Sequence, residues 1–174
     1  MFLLIKLNLN KMKKTITITL LIILAIIGLI WWGSKNQKAP VQSTGEQSAL
    51  TTSESVYNFG TISMKDGNVT KNFTITNPTD KDILLSSVST SCMCTNAFII
   101  SPDGTKKGPF GMSGHGYLPP ANETIKARGT SNLEVVYDPN AHGPAGVGFI
   151  DRFITLVDEN GKDISIEIKA TVTP

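Results

Sequence analysis

The sequence is poor in the residues that most often carry chemistry: 174 residues hold two cysteines, two histidines and two tryptophans. Two cysteines exclude a disulfide-rich scaffold. The tryptophans stand side by side at positions 31 and 32, so the Cys…Trp…Cys spacing of antibody domains is missing. The chain also lacks a G-x-S-x-G elbow, H-E-x-x-H, a P-loop, and G-x-G-x-x-G after a strand. No zinc spacing of the paired C-x-x-C type occurs, and no serine triad can be assembled by spacing. These absences argue against an enzyme. Charge of one sign is scarce as well. Lys6, Lys11, Lys13 and Lys14 precede an apolar run, and the other 12 basic residues face 14 acidic ones. The net +2 is therefore a property of the N-terminus, and no nucleic-acid partner is expected.

What is present divides the chain into four parts. Residues 1–14 form a basic N-terminus. Residues 15–32 (TITITLLIILAIIGLIWW) are uncharged, with 14 apolar members among 18. As a helix that run would span ~27 Å, enough for a bilayer core. The preceding lysines hold their end in the cytoplasm, and Trp31 and Trp32 suit the opposite interface. A cleaved signal peptide competes with this reading. However, the run exceeds a usual signal-peptide core and no small-x-small site follows it, so an uncleaved single-pass signal-anchor is expected. Met12 is an alternative start and leaves the topology unchanged. Residues 33–53 are rich in Ser, Thr, Gln, Asn and Lys and read as a flexible linker. Residues 54–174 would then lie outside the cytoplasm.

Within 54–174 the apolar residues alternate. Ile164, Ile166, Ile168, Ala170 and Val172 repeat every second position, the mark of a strand with one face buried. Asn160-Gly161 predicts the hairpin that links them to Phe149–Val157. There Phe149, Asp151, Phe153 and Thr155 oppose Ile150, Ile154 and Leu156. Val56–Phe59, Val69–Thr76 with Phe73 and Ile75 inward, Ile83–Val88 and Leu133–Tyr137 give further strands. No convincing 3.6-residue period follows Trp32. The pattern predicts an all-β fold, an antiparallel immunoglobulin-like β-sandwich of six or seven strands behind one N-terminal transmembrane helix.

Three stretches carry a resemblance. They are Tyr57-Asn58-Phe59-Gly60-Thr61-Ile62, then Val69–Asn77 ending in Thr76-Asn77, then Ile83-Leu84-Leu85 followed by Ser91-Cys92-Met93-Cys94-Thr95. Together they resemble the bacterial family called domain of unknown function 1573, across about residues 54–100 and again at Leu133–Pro139 and the last two strands. The resemblance implies an exported immunoglobulin-like sandwich related to major-sperm-protein and ASH domains, and brings no general activity. Many members have Gly between the cysteines where this chain has Met93.

The sharpest local feature is Cys92-x-Cys94. On an extended strand the two Cβ atoms would be about 6–7 Å apart on one face. A disulfide needs about 3.5–4.5 Å, hence a sharp bend. Three readings stand: two small buried hydrophobes, a disulfide or redox pair, or two ligands for a soft metal. Residues 101–120, with five glycines and four prolines, form an irregular loop carrying Met112 and His115, and His142 lies between two later strands. Cys92, Cys94, Met112, His115 and His142 are thus a candidate copper or zinc ligand set. Phe98, Ile99 and Ile100 are either an exposed edge for a partner strand or residues packed under the long loop. The function expected is that of a non-catalytic binding or scaffolding module, held to the cell membrane by residues 15–32 and meeting a protein partner in the envelope. Metal binding and thiol redox chemistry are the rivals.

Overall fold

Ile164, Ile166, Ile168, Ala170 and Val172 are all buried, and the intervening Ser165, Glu167, Lys169 and Thr171 line the other face of the strand. The structure is a computed structural model that describes Leu20, Ile23, Leu24 and residues 43–174. The chain divides into two units, Met1–Ala39 and Pro40–Pro174. Leu20, Ile23 and Leu24 are helical with exposed side chains. The rest of the expected span over 15–32, the N-terminus 1–14 and residues 33–42 lie outside the described residues. Among the described residues no helix is long and apolar enough to cross a membrane.

The second unit holds ten strands among the described residues: β1 (Thr51–Thr52), β2 (Val56–Ser63), β3 (Val69–Thr76), β4 (Ile83–Thr90), β5 (Thr95–Ile100), β6 (Lys106–Phe110), β7 (Glu123–Ile125), β8 (Thr130–Tyr137), β9 (Gly148–Asp158) and β10 (Asp163–Thr173). One sheet runs β1-β3-β8-β5-β6 and the other β2-β10-β9-β4-β7. Between them lies one core, in which Val88, Ala97, Leu133, Val135, Ile154, Ile166 and Ile168 are fully shielded. The two-sheet, nearly all-β architecture is the one expected.

Several details differ. The sandwich is not wholly antiparallel, because β2 lies parallel to β10. Their ladder slips between Lys169 and Thr171. Gly60, opposite the slip, takes φ 74°, a left-handed conformation that a side chain would resist. The loop over 101–130 contains β6 and β7, which pair with β5 and β4. Phe98–Ile100 is therefore no sheet edge, since β5 lies between β8 and β6 with Ile99 in the core. The fold also begins before Glu54. Thr44 N–H donates to the Gly161 carbonyl, Ser48 N–H to that of Asp163, and Leu50 is buried. Residues 44–53 thus belong to the packed domain, and polar composition hid a segment fastened mainly through its backbone.

Candidate functional site

β4 ends at Thr90 and β5 begins at Thr95, so the C-x-C unit occupies the tight turn between strands of opposite sheets. Thr95 N–H closes the turn on the Cys92 carbonyl at 3.1 Å. The Thr90 hydroxyl lies 3.0 Å from the carbonyl oxygens of both Cys92 and Thr95. Ser91 is bound to β9 twice, its N–H donating to the Phe153 carbonyl and its hydroxyl accepting from Phe153 N–H. Asp138 N–H holds the Cys94 carbonyl from the other sheet. This bend brings the Cα atoms to 5.2 Å, and Cys92 and Cys94 are joined as a disulfide.

Two side chains from elsewhere in the chain address the two sulfurs separately. His142, in the loop between β8 and β9, puts Nε2 3.2 Å from Cys92 Sγ. A disulfide sulfur can only accept, so this contact calls for the proton on Nε2. The loop is set by Asn140, whose N–H donates to Asp138 Oδ1 and whose amide donates to the Met64 carbonyl. On β9, Arg152 Nε donates to Cys94 Sγ at 3.3 Å, and another guanidinium nitrogen donates to the Asp151 carbonyl at 2.7 Å. Arg152 occupies an inward position between Ile150 and Ile154 and is half-buried. Among the described residues no carboxylate comes within 4.0 Å of its guanidinium. Tyr137, which faces Thr95 across the β8–β5 ladder, has its phenol pushed up by burial and by Asp138, against the opposing pull of Arg152.

Of the expected ligand set, the structure gathers Cys92, Cys94 and His142, whose ligand atoms lie within 4.8 Å of one another. His115 is exposed on the 111–116 loop and outside that group. Met112 is bridged to Thr90 beside the turn. With the two cysteines joined, neither sulfur is a thiolate ligand. Arg152 is the residue that ligand-spacing arguments miss. Its signal is a charged residue between the inward-facing Ile150 and Ile154 of β9.

The disulfide closes a loop between residues two apart. Loop-closure entropy for so short a span amounts to under about 2 kcal/mol, against about 4.7 for a hundred residues. It ties no two elements together that the backbone does not already join. Both residues are buried, Cys92 being 7% exposed and Cys94 1%.

Residues 50–107 match the family described as Protein of unknown function (DUF1573). Over those residues, about a third of its length, the chain resembles the DUF1573 family. The match covers β1 through the start of β6 and so includes the whole C-x-C turn. No curated protein matches the chain. Among solved structures it is similar to a protein of unknown function from Porphyromonas gingivalis W83, with 17% identity and a TM-score of 0.51 over 76% of this chain and 50% of that one. It is also similar to a family 123 glycoside hydrolase from Clostridium perfringens, with 8% identity and a TM-score of 0.51 over 72% of this chain and 27% of that one. The chain thus spans half or less of these two structures, and identities this low show the fold alone.

Proposed function

We propose that this chain is a single-pass membrane protein whose DUF1573 domain lies outside the cytoplasm and binds a protein partner in the cell envelope, without catalysis of its own. The observation that carries the reading is the outer face of the β2-β10-β9 sheet. Sequence alternation assigns that face to water, yet Phe149 and Phe153 stand on it 67% and 43% exposed. The ladder registers put Val56, itself 48% exposed, in one row with Glu167 and Phe153. The Lys169–Glu167 ion pair, at 3.0 Å, runs between the two aromatic positions. Large aromatics amid paired charges are what a partner-binding face uses as anchors, because they bury much area at little cost in side-chain entropy. The four lysines ahead of the apolar run 15–32 support the assigned topology.

The test is photocrosslinking of the full chain in intact cells, with a benzophenone side chain at position 149 or 153. A discrete protein adduct, lost when the other phenylalanine is changed to serine, supports the reading. Adducts absent at both positions, or formed only with lipid, reject it.

A further inference from the structure

We infer that the Cys92–Cys94 disulfide is a reversible redox centre that accepts two electrons from a protein dithiol. The argument is independent of the aromatic face. Three observations converge on it. The bond links residues of one turn and cross-links no elements, so a staple role does not account for it. The two residues are unequally shielded, Cys92 at 7% exposed and Cys94 at 1%. Each has its own polar neighbour: His142 Nε2 at 3.2 Å from Cys92 and the Arg152 guanidinium at 3.3 Å from Cys94. A half-buried guanidinium with no carboxylate in ion-pair range, set against a sulfur, is placed to hold a thiolate.

The chemistry follows from the asymmetry. A partner thiolate attacks Cys92 Sγ, on the less shielded of the two residues. A partner–Cys92 disulfide forms, the Cys92–Cys94 bond breaks, and its electron pair leaves on Cys94 Sγ, where Arg152 receives the charge. The partner's second thiolate then attacks the partner's own sulfur in the mixed disulfide and releases Cys92. Cys94 N–H, 3.2 Å from Cys92 Sγ, and the His142 ring stand ready to receive the thiolate released on Cys92. The partner dithiol ends as a disulfide; one of its protons ends on Cys92 and the other passes to solvent, with Cys94 left as a thiolate against Arg152. Met93, the residue between the cysteines, is 58% exposed and gives an incoming peptide an apolar contact at the point of attack.

The experiment uses the full chain in detergent at neutral pH, with glutathione as a monothiol probe and dithiothreitol as the dithiol. Acid quenching after glutathione should show the mixed disulfide on Cys92 and not on Cys94. Dithiothreitol should reduce the folded protein, and Arg152→Met should slow that step by roughly three- to tenfold through the poorer leaving thiolate. Arg152→Lys, which restores a cation, should recover part of the rate, an effect that a merely structural role for Arg152 would not produce. An adduct on Cys94, reduction only once urea has unfolded the chain, or equal rates in wild type, Arg152→Met and Arg152→Lys overturns the inference. The glutathione result needs no variant, so it decides the matter even if Arg152→Met does not fold.

Discussion

The Ser48 hydroxyl donates to Asp158 Oδ2 over 2.6 Å in the interior, joining the segment ahead of β1 to the end of β9. The other oxygen of Asp158 accepts from Asn160 N–H at 2.8 Å and Lys162 N–H at 3.1 Å, so one carboxylate holds both the N-terminal segment and the β9–β10 hairpin. Asp158→Ala would strand a buried hydroxyl and two turn amides and should cost about 2–4 kcal/mol, whereas Ser48→Ala should cost about 1–2. Urea denaturation measures both. Equal, near-zero shifts would show that the 44–53 segment contributes nothing to the fold.

Asn77 is a second buried polar anchor. Its amide nitrogen donates to the carbonyls of Lys81 and Ile125 at 2.8 and 3.0 Å. Its oxygen accepts from the Thr79 N–H and hydroxyl at 3.0 and 2.7 Å. A fully buried side chain with both ends satisfied fixes the β3–β4 turn against the end of β7. Asn77→Ala leaves those carbonyls unpaired and should lower stability by about 2–3 kcal/mol by the same measurement. Asn77→Asp, which removes the donor, should be at least as harmful.

These anchors show where the sequence is legible. The β10 alternation, Asn160-Gly161 and the inward Phe73 and Ile75 are local signals, and the structure places all of them as read. β1, β6 and β7 are two, five and three residues long and exist by pairing with β3, β5 and β4, which no local pattern encodes. The C-x-C unit was conspicuous, but whether it bends depended on Thr90, Ser91 and Asp138 gripping the turn from three directions. The bend decides between a disulfide and two same-face thiols. Arg152 was visible as a break in the inward series of β9, yet its meeting with Cys94 is set by the β4–β5 turn, 58 residues away in sequence.

Asp151 gives a prediction in pH. Its carboxyl is pushed above the usual aspartate value of 3.8, first by burial and then by the neighbouring Glu167, and its Oδ1 has no hydrogen-bond partner. Glu167 is held low, chiefly by Lys169, so the first proton goes to Asp151. A raised folded pKa means that the native state binds the proton more tightly than the unfolded chain does. Stability is therefore lost as pH rises from the unfolded value through the folded one, and the loss persists above it. Asp151→Asn should raise the melting temperature at pH 7, with the gain shrinking as pH falls toward 3.8 and below. A melting temperature at pH 7 equal to or below wild type would contradict this.

The disulfide yields the last prediction, and it separates a staple from a redox centre. Because the bond spans only two residues of chain, breaking it restores little freedom to the unfolded state. The turn, moreover, is held by the Thr90, Ser91 and Asp138 contacts whether or not the sulfurs are joined. Reduction retains both sulfur atoms, which move from bonding to van der Waals separation, and removes no side-chain volume, unlike replacement by alanine. Protein refolded from urea under dithiothreitol should therefore regain the same far-ultraviolet circular dichroism, with a stability loss under about 2 kcal/mol. A loss of about 4 kcal/mol or more, or failure to refold, would show that the sandwich depends on the bond. A centre that must be broken and remade in service cannot also be what holds the fold.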